Sequence, residues 1–170
     1  MQTVELLLDA AADAAVRCEW DVLAAAGLPS QALHTGPTNA PHVTLGVVRE
    51  VPPAVEAALP AAVDGLPVAG ALGALVVFGS RRVALARLVV PHPDLLALHA
   101  RVAALLRDCP GVPGYVLPGA WTPHVTLARG LTPGQVGSAL EVLGHLGGID
   151  GTLVTARRWD GEAREARPLA

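Results

Sequence analysis

Apolar residues follow two different spacings along the chain, and the order of these spacings predicts the order of strands and helices. Apolar stretches rich in Val and Leu predict strands at residues 3–8, 41–48, 66–78, 82–90, 121–129 and 151–159. Segments with helical spacing or helix-capping signals predict helices at residues 10–26, 53–63, 95–109 and 132–145. Asp9 and Asp94 are the predicted N-caps of the first and third helices, and residues 160–170 are a predicted polar tail.

The order strand, helix, strand occurs twice, with additions, which predicts an α+β protein with two halves related by a diverged internal duplication. The length of 170 residues suits a single domain that covers residues 1–170 as two pseudo-symmetric lobes. The net charge of −3 argues against a broad surface for nucleic-acid backbones, although a small site for one phosphate needs only a few arginines.

Nothing in the sequence predicts a membrane or secretory segment. The first residues lack a basic region before a short apolar run, and no apolar stretch is long enough to cross a bilayer without Gly, Pro or charge. We therefore expect a cytoplasmic, monomeric protein that has no membrane partner. All basic residues are Arg, so chemistry that depends on a lysine is excluded.

The pentapeptide Pro-His-Val-Thr-Leu occurs twice, at residues 41–45 and 123–127. Side chains alternate between the two faces of a strand, so His42 shares a face with Thr44, and His124 shares a face with Thr126. The apolar residues between them point to the opposite face and can anchor each strand in a core. If the halves pack around a pseudo-twofold axis, the two His/Thr pairs face each other across a cleft.

Such a cleft suits phosphoester chemistry. Phosphoryl transfer needs a base on the nucleophile and an acid on the leaving oxygen, and two histidines can fill both roles because imidazole titrates near neutral pH. The two threonine hydroxyls can bind the non-bridging phosphoryl oxygens. No metal or other cofactor is expected, because the motifs supply only two good zinc ligands and no Cys or acidic residue stands in ligand spacing beside them.

At these motifs, together with Trp-Thr-Pro-His-Val-Thr-Leu-Ala-Arg at residues 121–129, the chain resembles the two-histidine (2H) phosphoesterase superfamily, in its 2′-5′ RNA ligase-like branch. The resemblance implies a bilobal fold in which two antiparallel sheets line a central groove, with helices outside. It also implies hydrolysis of 2′,3′-cyclic phosphates, or of 2′-5′ linkages, in RNA ends or nucleotides, with ligation through a 2′-5′ bond as the related reaction. The catalytic positions are then His42, Thr44, His124 and Thr126. Which histidine is the acid stays open.

Further candidates surround the motifs. Phe78, Tyr115 and Trp121 are candidates for stacking on a base, and each has core packing as its other interpretation. Arg129 is either a phosphate ligand or a solvated strand end, because strict alternation turns it away from Thr126 unless the strand ends or bulges first. Arg157 and Arg158 are adjacent, so at most one of them faces the cleft.

The scarcity of aromatic and basic residues favours a small cyclic nucleotide or an RNA terminus as the partner. Two other functions stay open at this stage. The groove can hold a nucleotide or RNA terminus without turnover, as a binding module. Alternatively, both motifs are only strand-packing signals, which predicts two buried imidazoles far apart.

Overall fold

The computed structural model describes residues 1–144 and 146–169, and a single antiparallel sheet organises them. The described helices are α1 (Ala10–Ala25), α2 (Pro53–Ala62), α3 (Pro93–Leu106) and α4 (Pro133–Leu143). The described strands are β1 (Gln2–Leu8), β2 (His42–Val48), β3 (Val68–Ala69), β4 (Leu72–Gly79), β5 (Val83–Val89), β6 (His124–Leu131), β7 (Thr152–Asp160) and β8 (Glu165–Pro168). The predicted α+β class is confirmed.

The strands follow the order β3-β7-β1-β2-β6-β5-β4, and β8 extends the sheet beside β7. The strand order is symmetric about the β2–β6 pair at the middle of the sheet. These two are the motif strands, and the first strand of each half flanks its own motif strand, β1 beside β2 and β5 beside β6. The expectation of two separate sheets needs correction on this point. Pairing of Val43 with Val125 joins the two halves into one sheet, since the two motif strands meet directly where they enter the fold.

The helices repeat the same symmetry. Helix α1 packs on β6 and α4, whereas α3 packs on β2 and α2, so the first helix of each half covers the motif strand of the other half. The apolar residues of the motifs, Val43, Leu45, Val125 and Leu127, are fully buried in the core that these helices share with the sheet. The predicted diverged duplication therefore matches the observed topology.

Local signals explain most element boundaries. Asp9 caps α1 as predicted, because its carboxylate accepts hydrogen bonds from the backbone N–H groups of Ala11 and Ala12. The predicted cap Asp94 is wrong: α3 begins earlier, at Pro93, and the ring of His92 accepts from the Asp94 N–H. A proline is favoured at the first helical position, which moves the boundary.

Three further boundaries differ from expectation. The predicted strand at 66–78 divides into β3 and β4, because Gly70 passes close to β7 and Leu72 pairs with Ile149. The predicted polar tail contains β8, which pairs with β7. The predicted end of the last helix at His145 lies outside the described residues. Within the described part of the chain, no helix has the length and apolar character that crossing a bilayer requires.

Candidate active site

The two motif histidines lie beside the point where the halves of the sheet meet. Val43 and Val125 are register partners in the antiparallel β2–β6 pair, so His42 and His124 precede the crossing point on neighbouring strands. The burial pattern follows the predicted alternation, because both valines are fully buried while both imidazoles are partly exposed. The rings are also electrostatically coupled, since the charge of His42 contributes to lowering the pKa of His124.

The same hydrogen bond orients each imidazole. The Nδ1 atom of His42 lies 2.8 Å from the carbonyl oxygen of Ala40, and the Nδ1 atom of His124 lies 2.7 Å from that of Thr122. A carbonyl oxygen can only accept, so Nδ1 carries the hydrogen in both rings. This arrangement leaves Nε2 as the atom that takes or gives a proton, and it fixes the direction in which that atom points.

Each motif strand has a β-bulge next to its threonine. Thr44 pairs with Glu5 while Gly46 pairs with Val4, so β2 holds an extra residue between these two pairs. In β6, Thr126 pairs with Ala86 while Ala128 pairs with Leu85, which places a bulge at the corresponding point. A bulge takes backbone groups out of the ladder and re-aims the side chains that follow.

Two tryptophans satisfy the threonine carbonyls at these bulges. The indole N–H of Trp20, on α1, donates to the carbonyl of Thr126 at 3.1 Å. The indole N–H of Trp121, in the loop before β6, donates to the carbonyl of Thr44 at 2.9 Å. Each threonine backbone is therefore held by an indole from the other half of the chain, which is a matched pair of cross-links between the halves.

The bulge in β6 also decides the position of Arg129. Without the bulge, alternation would turn Arg129 away from Thr126; with it, the Nη2 atom of Arg129 lies 3.4 Å from the Thr126 hydroxyl. The guanidinium of Arg129 therefore lies beside a motif threonine, and its role as a phosphate ligand stays a prediction. The side chain remains exposed, so it is accessible to a ligand.

The pKa of His124 is lowered from the ordinary histidine value of 6.5. Burial is the largest cause, because it penalises the charged imidazolium. The hydrogen bond to the Thr122 carbonyl opposes this shift, while the positive charges of Arg129 and His42 add to it. His124 is therefore biased towards the neutral form, which can accept a proton.

The three aromatic candidates have different surroundings. Phe78 lies next to His124, with ring centroids 4.5 Å apart and the planes tilted by 43°. Trp121 instead stacks on the buried ring of His99 at 3.9 Å, with its indole N–H engaged, so the structure assigns it to packing rather than to base stacking. Tyr115 is 65% exposed in a 3-10 turn at Gly114–Val116, and among the described residues it has no ring contact with either histidine.

Sequence reasoning missed one group at the site, the carboxylate of Glu5. Its Oε1 atom lies 3.6 Å from Nε2 of His42, and its Oε2 atom accepts a hydrogen bond from Arg157 at 2.8 Å. Arg157 is thus the member of the Arg157/Arg158 pair on the histidine face, and Arg158 instead pairs with Glu56 of α2. The usable signal was the lone acidic residue of the first strand, which stands between apolar neighbours and shares a face with Thr3.

The described side chains at the site do not form an arrangement typical of a metal centre. Within residues 1–144 and 146–169, no group of three or more His, Cys, Asp or Glu side chains is placed to share an ion. What the geometry defines is a pair of imidazoles with matched backbone anchors and two neighbouring hydroxyls, on one face of a pseudo-symmetric sheet. This is the arrangement of a two-histidine protein.

Comparison with known proteins agrees with this description. Residues 12–159 match the family described as the 2′-5′ RNA ligase superfamily, and the chain belongs to that family of phosphoesterase and ligase enzymes. The fold is similar to that of Usb1 from Kluyveromyces marxianus, with a TM-score of 0.55 at 13% identity over 98% of this chain and 97% of that chain. The structure of the same protein with uridine monophosphate has a TM-score of 0.55 at 14% identity and the same coverage. No curated protein sequence matches the chain.

Proposed function

We propose that the protein is a metal-independent phosphoesterase that opens 2′,3′-cyclic phosphates of nucleotides or RNA ends by acid–base catalysis with His42 and His124. The single observation that carries the proposal is the matched orientation of the two imidazoles. Each ring donates from Nδ1 to the carbonyl two residues earlier, which leaves two Nε2 atoms for proton transfer at the junction of β2 and β6.

The reaction uses the two rings in complementary states. One neutral imidazole takes a proton from the attacking water, and the other, protonated, gives its proton to the ribose oxygen that leaves phosphorus. Thr44 and Thr126 donate their hydroxyl hydrogens to the non-bridging oxygens, where negative charge increases in the transition state. Arg129 lies beside Thr126 and adds a positive charge for the same oxygens.

A small substrate fits the surroundings of the histidines. Arg129 is the exposed cation in contact with the motif residues, and Arg157 is already paired with Glu5, which leaves little charge for a long backbone. Phe78 beside His124 offers one aromatic face for a base. The related fold has been solved with uridine monophosphate, and that ligand supports a nucleotide-sized partner.

The test is hydrolysis of 2′,3′-cyclic mononucleotides by the parent, His42→Ala and His124→Ala, with the phosphomonoester product observed by phosphorus NMR. Each substitution should lower kcat by roughly 10²–10⁴, the usual contribution of a general acid or base. His92→Ala is the matched control, because this exposed ring caps α3 and, within the described part of the chain, its partner is Asp94 and not a motif residue. EDTA should leave the rate unchanged.

Three results would count against the proposal. Full activity in either motif variant rules out the two-histidine mechanism, and loss of activity with EDTA rules out the metal-independent one. Binding of the cyclic nucleotide by the parent without any product would instead identify a binding module on the same groove. Thermal melting of every variant shows that a lost activity is not a lost fold.

A further inference from the structure

Two exposed arginines of the second half are free of acidic partners in the described part of the chain. Arg82 directly precedes β5, and Arg129 lies on β6. Within residues 1–144 and 146–169, the ion pairs include neither of these two side chains. Their positive charges are therefore available to an anion from outside the protein.

Arg82 lies on the same face of the sheet as the motif residues. Ala86 on β5 pairs with Thr126, so these two side chains share a face. The bulges between β5 and β6 add residues to β6 alone, so β5 alternates regularly, and Ala84 and then Arg82 follow on the face of Ala86. The Nη1 atom of Arg82 donates to the carbonyl of Gly130 at 2.9 Å, which holds the guanidinium against β6.

The surface between the motif and Arg82 is made of small side chains. Phe78 on β4 pairs with Ala84 on β5, and its ring still comes within 4.5 Å of the His124 ring on the next strand. It can cross β5 because the β5 residues on this face are alanines. Ala84 remains partly exposed beside the Phe78 ring, so a ligand can lie along this surface.

The two arginines are held at the two ends of one short segment of β6. Thr126 and Gly130 are four residues apart, so their backbones are separated by at most about 13 Å. Arg129 lies 3.4 Å from the Thr126 hydroxyl at one end, and Arg82 binds the Gly130 carbonyl at the other end. Two phosphates joined through one ribose can therefore contact both guanidinium groups.

The corresponding end of the first half is surrounded by acidic groups. Through the pairing of β1 and β5 with the motif threonines, Met1 is the counterpart of Arg82. The Met1 ammonium group lies 3.4 Å from the carboxylate of Glu162, which offsets its charge. The next residue, Gln2, donates to the carboxylate of Asp160 at 2.7 Å. An additional phosphate is therefore favoured on the second half and not on the first.

We propose that Arg82 is a subsite for a second phosphate, carried on O5′ of the nucleoside whose cyclic phosphate lies at His42 and His124. The cyclic phosphate occupies O2′ and O3′, so O5′ is the ribose oxygen left for another phosphate. The ligand is a 5′-phosphorylated 2′,3′-cyclic nucleotide, either free or as the end of an RNA chain. This inference rests on the proposed function for the position of the cyclic phosphate.

The test compares the hydrolysis of uridine 2′,3′-cyclic phosphate with and without a 5′-phosphate. In the parent, the 5′-phosphate should lower KM about fivefold, the upper end of the range for an exposed ion pair. It should leave kcat unchanged, because the contact is remote from the reacting phosphorus. In Arg82→Gln the two KM values should become equal, although the amide can still donate to the Gly130 carbonyl. The preference of the parent should also shrink as the salt concentration rises.

Arg101→Gln is the matched control. Arg101 is also an exposed arginine that donates to backbone carbonyls, those of Ala62 and Asp64, but it lies on α3. This substitution should leave the ratio of the two KM values unchanged. Arg82→Lys keeps a positive charge and should retain most of the preference. Arg129→Gln should instead lower kcat on both substrates alike, because Arg129 is proposed to act at the reacting phosphate.

Binding without turnover separates the subsite from the proposed function. In calorimetry, uridine 2′,5′-bisphosphate should bind the parent about fivefold more tightly than uridine 2′-phosphate. In NMR, the Nε–H signal of Arg82 should shift with the bisphosphate and not with the monophosphate. This signal is read in the parent, so it decides the question if Arg82→Gln does not fold. If the bisphosphate binds as expected but the parent opens no cyclic phosphate, the subsite stands and the proposed function fails.

A uridine dinucleotide that ends in a cyclic phosphate distinguishes the two sources of the 5′-phosphate. If RNA ends are the source, its internal phosphodiester should lower KM as much as the free 5′-phosphate does; if free nucleotides are the source, it should lower KM less. Equal KM values for the two mononucleotide substrates in the parent, or an unchanged KM ratio in Arg82→Gln, would overturn the subsite. Equal increases of both KM values in Arg82→Gln would also overturn it, because they would place Arg82 at the reacting phosphate.

Discussion

The indole cross-links at the motif threonines lead to a sharp prediction about how the two halves stabilise each other. Trp20→Phe and Trp121→Phe keep an aromatic ring but remove the N–H that donates to Thr126 and Thr44, respectively. Each substitution leaves a threonine carbonyl at a bulge without its indole donor. The cost then depends on whether water can reach that carbonyl.

The magnitudes follow from burial. Trp20 is 3% exposed and its bond to Thr126 is buried, so an unpaired acceptor there costs about 1–3 kcal/mol, and the smaller ring adds a cavity. We expect Trp20→Phe to lower the free energy of unfolding by about 3 kcal/mol. Trp121 is only partly buried, so water can replace part of its bond and the loss should be about 1 kcal/mol.

Trp159→Phe is the matched control. Its indole N–H donates at 3.3 Å to the Thr38 hydroxyl, which can rotate towards water, so the loss should stay below about 1 kcal/mol. Urea unfolding followed by circular dichroism measures all three variants. On cyclic-nucleotide turnover, Trp20→Phe and Trp121→Phe should each lower kcat, because the backbone that positions a motif hydroxyl has lost its anchor.

The order of the stability losses among the three tryptophan variants tests the argument. If Trp20→Phe costs no more stability than Trp159→Phe, the buried indole bond does not brace the bulge. If Trp121→Phe keeps the parent kcat while its stability falls, the cross-link supports the fold without positioning Thr44. Either result would refute the argument that the indoles couple the two halves to the site.

Two further predictions concern charges on the helix side of the molecule. Glu19→Gln leaves the buried guanidinium of Arg87 without its counter-ion and should destabilise the fold by about 3–5 kcal/mol in urea unfolding, whereas an unchanged midpoint would show that the pair is dispensable. Asp9 has its pKa lowered to about 2, first by the Ala12 N–H and then by Thr152. Its folded-state pKa is below the unfolded value, so its stabilisation is present above about pH 4 and disappears as the pH falls towards 2. Asp9→Asn should therefore melt at a lower temperature than the parent at neutral pH and at nearly the same temperature near pH 2; a pH-independent difference would contradict this.

The motif strands and their inward and outward faces could be predicted from sequence because they depend on local rules. A strand exposes every second side chain, so two copies of His-Val-Thr-Leu define two polar pairs and two apolar anchors without further information. The observed burial of Val43 and Val125, with His42 and His124 partly exposed, follows that rule. The duplication was accessible for the same reason, since the order of elements repeats, whereas the joining of both halves into one sheet was not.

The neighbours of the motifs were not predictable in the same way. Arg129 reaches Thr126 because a bulge changes the face of the strand, and a bulge depends on pairing with β5, which lies 40 or so residues earlier in the chain. Glu5 reaches His42 from β1, and Arg157 reaches Glu5 from β7. Trp121 has a partner in Thr44 that no spacing rule connects to it. Such contacts are set by sheet register, which single-sequence patterns do not encode.

The contacts that the motifs do not encode are the ones that make the surroundings of the two histidines different. Burial lowers the pKa of His124, and the positive charge of Arg129 adds to this shift. His42 instead has the buried carboxylate of Glu5 at 3.6 Å. Glu5 stands where the other half has Ala86, and Arg129 stands where the first half has Val47. Divergence of the flanking strands after a duplication is therefore sufficient to give two identical motifs different electrostatic surroundings.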